Sequence, residues 1–179
     1  MKKLIFLSGK ASSGKSTTLK ILIAMLLNAT PAHTVSVKHL YSRSRALYNN
    51  ILNAWKNGAR MPSGDISIVL EIDSVLVGVR TEGDMLGAVW AAIDYFEKKK
   101  CDIGVLACHP EHLTRSLPCM IAPWSCHKIV EKVPALNSSL YDQENIKAAQ
   151  ELFDIIMNDI KQIKNRQAKK CQTNNTATI

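Results

Sequence analysis

The feature that most constrains the fold is a glycine-containing loop placed directly after an apolar segment. Residues 3–8 read Lys-Leu-Ile-Phe-Leu-Ser, which predicts a short buried β-strand. The loop from Gly9 to Ser16 follows at once, and residues 15–28 then predict a helix that is well buried towards its end. The chain is therefore expected to join a strand to a helix through a tight turn close to its N-terminus.

Further strands and helices alternate along the sequence. We expect strands at 34–39, 66–72, 75–79, 103–108 and 128–133, and helices at 42–57, from Asp84 to about 100, and at 141–166. The runs at 66–72 and 75–79 form either a hairpin or one long bent strand, and Asp84 is the expected N-cap of the helix that follows. This alternation predicts an α/β fold with three layers, helix, mainly parallel sheet and helix, in a single domain over residues 1–166. Residues 167–179 are polar and are expected to be a disordered tail.

The loop has the spacing Gly-x-x-x-x-Gly-Lys-[Ser/Thr] in full, between a predicted strand and a predicted helix. Glycines let the backbone curl so that successive N–H groups point at phosphate oxygens, and the positive end of the helix adds to this attraction. Lys15 is expected to reach the β- and γ-phosphates, and the Ser16 hydroxyl to ligate Mg²⁺. The residues predicted to bind the phosphates are Gly9, Ala11, Ser12, Ser13, Gly14, Lys15, Ser16 and Thr17.

Through Gly9, Gly14, Lys15, Ser16 and Thr17 the chain resembles the P-loop NTPase superfamily. The resemblance covers about the first 28 residues and implies the three-layer α/β/α fold of that superfamily, with ATP and Mg²⁺ as ligands. The opening Lys-Leu-Ile-Phe-Leu-Ser-Gly also resembles those of small nucleotide and metabolite kinases. An arginine-rich lid and an Asp-Arg-Tyr segment are missing, which weakens a kinase interpretation. The guanine-recognition motif Asn-Lys-x-Asp is missing as well, so ATP is the expected nucleotide.

A P-loop enzyme needs a second acid near the phosphates, and two places in the sequence can supply it. One is Glu71 or Asp73, at the end of the apolar run Ile-Val-Leu-Glu-Ile-Asp. The other is Glu82 or Asp84, after a strand that is apolar on both faces, at the end where open α/β sheets bind their ligands. We favour the second place and expect Lys15, Asp84 and Glu82 to be catalytic. Ser16 and Asp84 are then the metal ligands, with Asp73 as the alternative to Asp84.

Other charged and metal-binding residue types are weaker candidates. Arginine and lysine side chains that could stabilise the transferred phosphoryl group, or bind a monophosphate acceptor, are Arg80, Arg115, Lys38, Arg43, Arg45 and Arg60. His109, directly after the strand 103–108, could sense the γ-phosphate. Zinc-ligand types cluster at Cys108, His109, His112, Cys119, Cys126 and His127, but without a Cys-x-x-Cys pair they favour a buried thiol and surface imidazoles instead.

Composition bounds the partners and the compartment. The net charge is +8, which favours anionic partners in general, although part of the excess lies in 161–170; a nucleic-acid role has no support beyond it. An odd count of five cysteines, with no secretory signal and no membrane span, predicts a cytoplasmic protein with reduced thiols. We expect an ATPase that couples hydrolysis to a conformational change, to a protein partner or to a homo-oligomer. The alternatives are a nucleoside monophosphate or small-molecule kinase, and a non-catalytic nucleotide-sensing subunit.

Overall fold

The computed structural model describes residues 2–29, 33–40, 44–113, 124, 126–132 and 141–176, without the side chains of 126, 127 and 170–176. It contains six strands and four principal helices in these ranges. They are β1 (Lys3–Ser8), α1 (Lys15–Leu27), β2 (Val35–Leu40), α2 (Arg45–Lys56), β3 (Ser67–Ile72), β4 (Val75–Arg80), α3 (Leu86–Lys98), β5 (Ile103–Cys108), β6 (Cys126–Glu131) and α4 (Tyr141–Thr176).

The six strands form one sheet in the order β2-β3-β4-β5-β1-β6. The pairs β4/β5, β5/β1 and β1/β6 are parallel, whereas β2/β3 and β3/β4 are antiparallel. The prediction of an α/β fold with a mainly parallel sheet is therefore confirmed. Because β1, β4 and β5 run in one direction, the segments that follow them meet at a common edge, which we call the carboxyl edge.

Helices cover both faces of this sheet, and β1 shows how. Ile5 and Leu7 point into a core that also holds apolar side chains of α1, α2 and α4. Leu4 and Phe6 point to the other face, into a core with α3. Strands buried on both faces carry continuous apolar runs, which is why β1 and β5 were recognisable in the sequence with their observed boundaries.

The two apolar runs at 66–72 and 75–79 form a hairpin. Asp73 and Ser74 make the turn, with φ angles of 50° and 69°. Positive φ at both central residues is the pattern of the tight two-residue turns that match strand twist. Since β3 runs against β4, the start of β3 lies at the carboxyl edge and the Asp73–Ser74 turn lies at the opposite edge.

Two helix ends differ from the sequence-based expectation. Met85 occupies the N-cap position of α3 without a side-chain cap, because the Asp84 carboxylate pairs with Lys15 instead. Helix α4 continues ten residues beyond Arg166, to Thr176. Residues 167–172 are mostly Gln, Ala and Lys, which favour helix despite their polarity, so the composition that suggested disorder also suits a solvated helix.

Among the described residues, none of the helices combines the length and apolar character that crossing a bilayer requires.

Candidate functional site

The glycine loop has the curled backbone that its sequence predicts. Ser12 and Gly14 both have positive φ, at 58° and 93°. Left-handed residues placed this way turn successive N–H groups towards one side, and α1 begins directly after Gly14. A side chain at Gly14 would be strained by its φ, and its Cβ would lie 2.3 Å from the Asn145 side-chain oxygen. The loop therefore combines a backbone geometry that can bind an anion with the N-terminus of a helix.

Lys15 is the first residue of α1, and its side chain turns back onto the loop. Its side chain is 5% exposed, and its Nζ lies 2.8 Å from the Asp84 carboxylate. The ammonium also donates to the carbonyl oxygens of Gly9 and Lys10, at 2.7 and 2.8 Å. Asp84, by contrast, has a side chain that is 58% exposed. A buried cation and an exposed carboxylate thus meet where β4 ends and the loop begins.

A polar cleft of about 230 Å³ opens over this pair. Its walls come from the loop, the first turn of α1, Asp84 and the start of α4. The lining residues are Ser12, Gly14, Lys15, Ser16, Thr17, Asp84 and Tyr141. The structure thus brings together most of the predicted phosphate-binding residues and one of the two predicted catalytic acids.

A second carboxylate, Asp65, enters the site from the loop before β3. Its Oδ1 accepts a hydrogen bond from the Thr81 hydroxyl at 2.9 Å and lies 3.5 Å from the Ser16 hydroxyl. Ser16 also donates to the Thr81 carbonyl oxygen, at 3.1 Å. The Thr81 hydroxyl in turn accepts from the backbone N–H of Ile66, which fixes the start of β3 against the end of β4.

Asp65 was not among the predicted acids, although a hairpin at 66–79 predicts its position. A two-residue turn at 73–74 pairs Ser67 with Arg80, so an acid two residues before β3 must lie beside the segment that follows β4.

Gly83 explains why the segment after β4 lies so close to β5. A Cβ at Gly83 would lie 1.8 Å from the Ala107 carbonyl oxygen, which no side chain can tolerate. The backbone before Asp84 therefore runs directly against the end of β5. This contact sets the position from which Asp84 reaches Lys15.

The first turns of α4 pack onto the loop, and each of the two segments has a buried polar group without a partner in the described ranges. Asn145 is fully buried, and its Oδ1 accepts a hydrogen bond from the Thr18 hydroxyl at 3.1 Å. The Asn145 Nδ2 and the Ser13 hydroxyl are both buried with no hydrogen-bond partner among the described residues. Unpaired buried polar atoms are costly, so their presence at one loop is typical of a ligand site.

Two buried lysines border the loop. The Lys20 ammonium donates to the Pro62 carbonyl at 2.7 Å; burial lowers the pKa of Lys20, and the charge of Asp65 opposes this effect. Burial also lowers the pKa of Lys132, against the charge of Glu144, and the Lys132 backbone N–H donates to the Ser8 carbonyl at 2.6 Å. Lys132 therefore lies beside Gly9 at the start of the loop, and Lys20 lies on α1 beside the segment that precedes β3.

Glu82 and the other charged candidates are paired with other side chains or exposed, wherever the structure describes them. The Glu82 carboxylate pairs with Arg80 at 2.8 Å, and Lys38 on the edge strand pairs with Glu71. Arg45 is exposed on α2, and Arg60 is exposed just beyond it. Arg43 and Arg115 lie outside the described residues.

The alternative metal ligand, Asp73, lies at the opposite edge of the sheet. Its carboxylate contacts His33 at 2.9 Å, the backbone N–H of Thr34 at 2.9 Å and Lys164 at 3.1 Å. The hydrogen bonds from His33 and Thr34, together with Lys164, lower the pKa of Asp73 to about 2. The antiparallel direction of β3 is the reason for this placement, so Asp73 is removed from the candidate metal ligands.

The cysteine and histidine residues do not form a metal cluster in the part of the chain that is described. Cys108 is buried, and this burial raises its pKa to about 11, which keeps the thiol neutral. The rings of His109 and His112 lie 5.7 Å apart, and His112 Nε2 is 3.1 Å from the Asp84 backbone carbonyl oxygen. Cys119 and the side chains of Cys126 and His127 lie outside the described residues.

Comparison with known proteins found no matching family model, no similar curated protein and no similar solved structure.

Proposed function

We propose that the chain is a Mg²⁺-dependent ATPase of the P-loop type that holds the nucleotide phosphates on residues 9–17. The observation that carries this proposal is the 2.8 Å contact between the buried Lys15 ammonium and the exposed Asp84 carboxylate, at the mouth of a curled anion-binding loop. A cation on the loop and an acid after a nearby parallel strand are two of the parts that NTP hydrolysis uses.

The oxygen-rich surroundings of Ser16 support a magnesium ion. The Ser16 hydroxyl lies 3.1 Å from the Thr81 carbonyl oxygen and 3.5 Å from Asp65, and such hard oxygen donors suit Mg²⁺. Magnesium in nucleotide sites takes one or two carboxylates and completes its shell with phosphates and water, so a preformed cluster of protein ligands is not required. Ser16, Asp84 and Asp65 are the residues that would hold it.

The roles of the side chains follow from their charge and exposure. Lys15 would exchange its contact with Asp84 for the β- and γ-phosphate oxygens, which would leave the Asp84 carboxylate free to hold the metal ion. Backbone N–H groups of the loop hold the phosphates in place. When bound, Mg²⁺ supplies neutralisation of the phosphate charge. Energy released by hydrolysis is coupled to a partner or to a conformational change of this chain.

The test is release of inorganic phosphate from Mg·ATP by the purified full chain, with and without a panel of nucleoside monophosphates and small hydroxyl compounds. Equal phosphate release in both conditions supports an ATPase. Transfer of the γ-phosphate to an acceptor would replace the ATPase with a kinase. Tight ATP binding without either reaction would replace it with a nucleotide-sensing subunit, and failure to bind ATP would overturn all three.

A further inference from the structure

A second cavity, of about 190 Å³, lies beside the phosphate loop. It is enclosed by the first two turns of α1, by the end of α2 with the residues up to Met61, and by the start of α4. We call it the flanking cavity. Side chains that define it are Thr17, Ile21, Trp55, Arg60, Asp142 and Ile146.

The flanking cavity adjoins the cleft over the loop at two points. Thr17 lines both spaces, and Tyr141 of the cleft is followed directly by Asp142 of the cavity. The two spaces therefore lie side by side at the first turns of α1 and α4. The cavity lies on the side of Thr17 and Ile21, whereas Asp65 approaches α1 beside Ser16.

The chemistry of the walls suits a planar heterocycle. Ile21 and Ile146 are apolar, and Trp55 provides an aromatic face. Arg60 donates hydrogen bonds and Asp142 accepts them, and both purine bases carry donors and acceptors along one edge. A cavity of about 150 Å³ is enough for a benzene ring, so this space admits an aromatic base.

We propose that the flanking cavity receives the purine base of the bound triphosphate, with Trp55 stacked on the ring and Arg60 and Asp142 on its polar edge. This inference rests on the proposed function, because the loop must hold the phosphates for the base to reach the cavity. It identifies residues that would recognise the base. The loop motif cannot identify them, because phosphates are common to all nucleotides and the base is not.

The experiment compares two probes, Mg·ATP and inorganic tripolyphosphate with Mg²⁺, by isothermal titration calorimetry. Trp55→Ala should weaken ATP binding about fivefold or more, because a base stacked on an aromatic ring loses that contact. Tripolyphosphate has no base, so its affinity should change by less than about twofold. Trp55→Phe keeps an aromatic face and should retain most of the ATP affinity.

The matched control is Trp90→Ala, since Trp90 is a partly exposed tryptophan on α3, whose core lies on the other face of the sheet. It should alter neither affinity. Thermal unfolding of each variant separates a loss of fold from a loss of contact.

A series of nucleotides distinguishes the bases. ATP and GTP should both bind more tightly than CTP, and Asp142→Asn should change the ratio of ATP to GTP affinity, because the two purines present different donors to a carboxylate.

Each failure has a distinct meaning. Wild-type protein that binds tripolyphosphate as tightly as ATP would overturn the base assignment and leave the proposed function in place. The base assignment also fails if Trp55→Ala weakens both probes equally. Protein that binds neither probe would overturn the proposed function and this inference with it.

Discussion

The two edges of the sheet each carry an aspartate paired with a lysine. The two pairs differ in which partner is exposed and in what else the aspartate contacts. At the carboxyl edge Asp84 has a 58% exposed side chain and contacts a lysine that is 5% exposed. At the opposite edge the exposures are reversed, with Asp73 at 15% and Lys164 at 48%. Asp73 also accepts from His33 and from the Thr34 backbone, whereas Asp84 faces an open cleft.

The difference shows how a carboxylate with a complete set of partners can be distinguished from one that is still open to a ligand. Asp73 sits in a turn with φ of 50°, and three partners satisfy its carboxylate there. Its contacts hold the β3–β4 turn against the segment before β2 and against α4. Besides its contact with Lys15, the Asp84 carboxylate faces the open cleft, where it can accept further contacts from a ligand. An acid whose contacts are already complete stabilises the fold, and one with a single exchangeable contact can take part in chemistry.

The largest expected effect separates these two acids by turnover. Asp84→Asn should lower the ATP hydrolysis rate about hundredfold, equivalent to ~2.7 kcal/mol of activation free energy. Asp73→Asn should change it less than about twofold, because its carboxylate lies at the other edge. Steady-state phosphate release at saturating Mg·ATP measures both, and a larger loss for Asp73→Asn would reverse the assignment of the edges.

The second largest expected effect comes from disturbing the close backbone contact that positions Asp84. Gly83→Ala places a Cβ 1.8 Å from the Ala107 carbonyl oxygen and should destabilise the protein by about 2 kcal/mol, the usual cost of overpacking. Gly87→Ala is the matched control, since Gly87 lies in α3 with no atom within 4 Å of the added Cβ. It should stabilise the helix by about 0.5–1 kcal/mol.

Urea unfolding measures both changes in the free energy of unfolding. The affinity of Gly83→Ala for ATP at low temperature shows whether displacing the segment around Asp84 weakens nucleotide binding. Equal stability of the two variants would mean that the chain relaxes around residue 83 without strain.

The two lysines give the third comparison. Lys15→Ala should weaken ATP binding at least tenfold, a loss of ~1.4 kcal/mol or more, because the phosphates lose their buried cation. Lys164→Ala removes the same charge at the other edge and should leave ATP affinity unchanged. Calorimetric titration with Mg·ATP is the measurement, and unchanged binding by Lys15→Ala would remove the basis of the proposed function.

The smallest effect concerns stability and pH at the Asp73 edge. The pKa of Asp73 is lowered to about 2 in the folded chain, so its stabilising contribution is complete above the ordinary aspartate pKa of about 4. That contribution is lost as the pH falls through about 2. Asp73→Asn should therefore reduce the free energy of unfolding by about 1 kcal/mol at pH 7, and the difference from wild type should shrink below pH 4.

The control for this prediction is Asp94→Asn, which removes an exposed ion pair with Lys98 on α3. It should cost about 0.5 kcal/mol or less at any pH. A gap between wild type and Asp73→Asn that stays constant from pH 7 to pH 2 would assign the effect to packing instead of charge.

Local pattern was sufficient to predict much of the fold. The apolar runs of β1 and β5 predicted their observed boundaries, since strands buried on both faces contain no polar interruption. The preference for the segment after β4 over Asp73 came from the rule that ligands bind beyond the carboxyl ends of parallel strands. The direction of β3 relative to β4 could not be predicted, because a bent strand and a hairpin share the same apolar pattern.

The rest of the site depends on contacts between distant segments. Asp84 was expected to cap α3, but a buried ammonium from the loop competes successfully for its carboxylate. Asp65 lies 49 residues after Ser16 in the chain, and Asn145 lies 127 residues after Thr18, yet each contacts that residue in the fold. No local pattern indicates the contact of Asn145, whereas the position of Asp65 follows once the two apolar runs are taken as a hairpin and not as one bent strand.

Helix α4 is 36 residues long, and near its start Asn145 packs against Gly14 of the glycine loop. At 1.5 Å per residue it is about 54 Å long, so one end touches the loop while the other lies far from it. Ile156 and Ile163 are buried in the core, and Lys164 contacts Asp73, so one continuous helix links the glycine loop at the carboxyl edge to the Asp73 turn at the opposite edge.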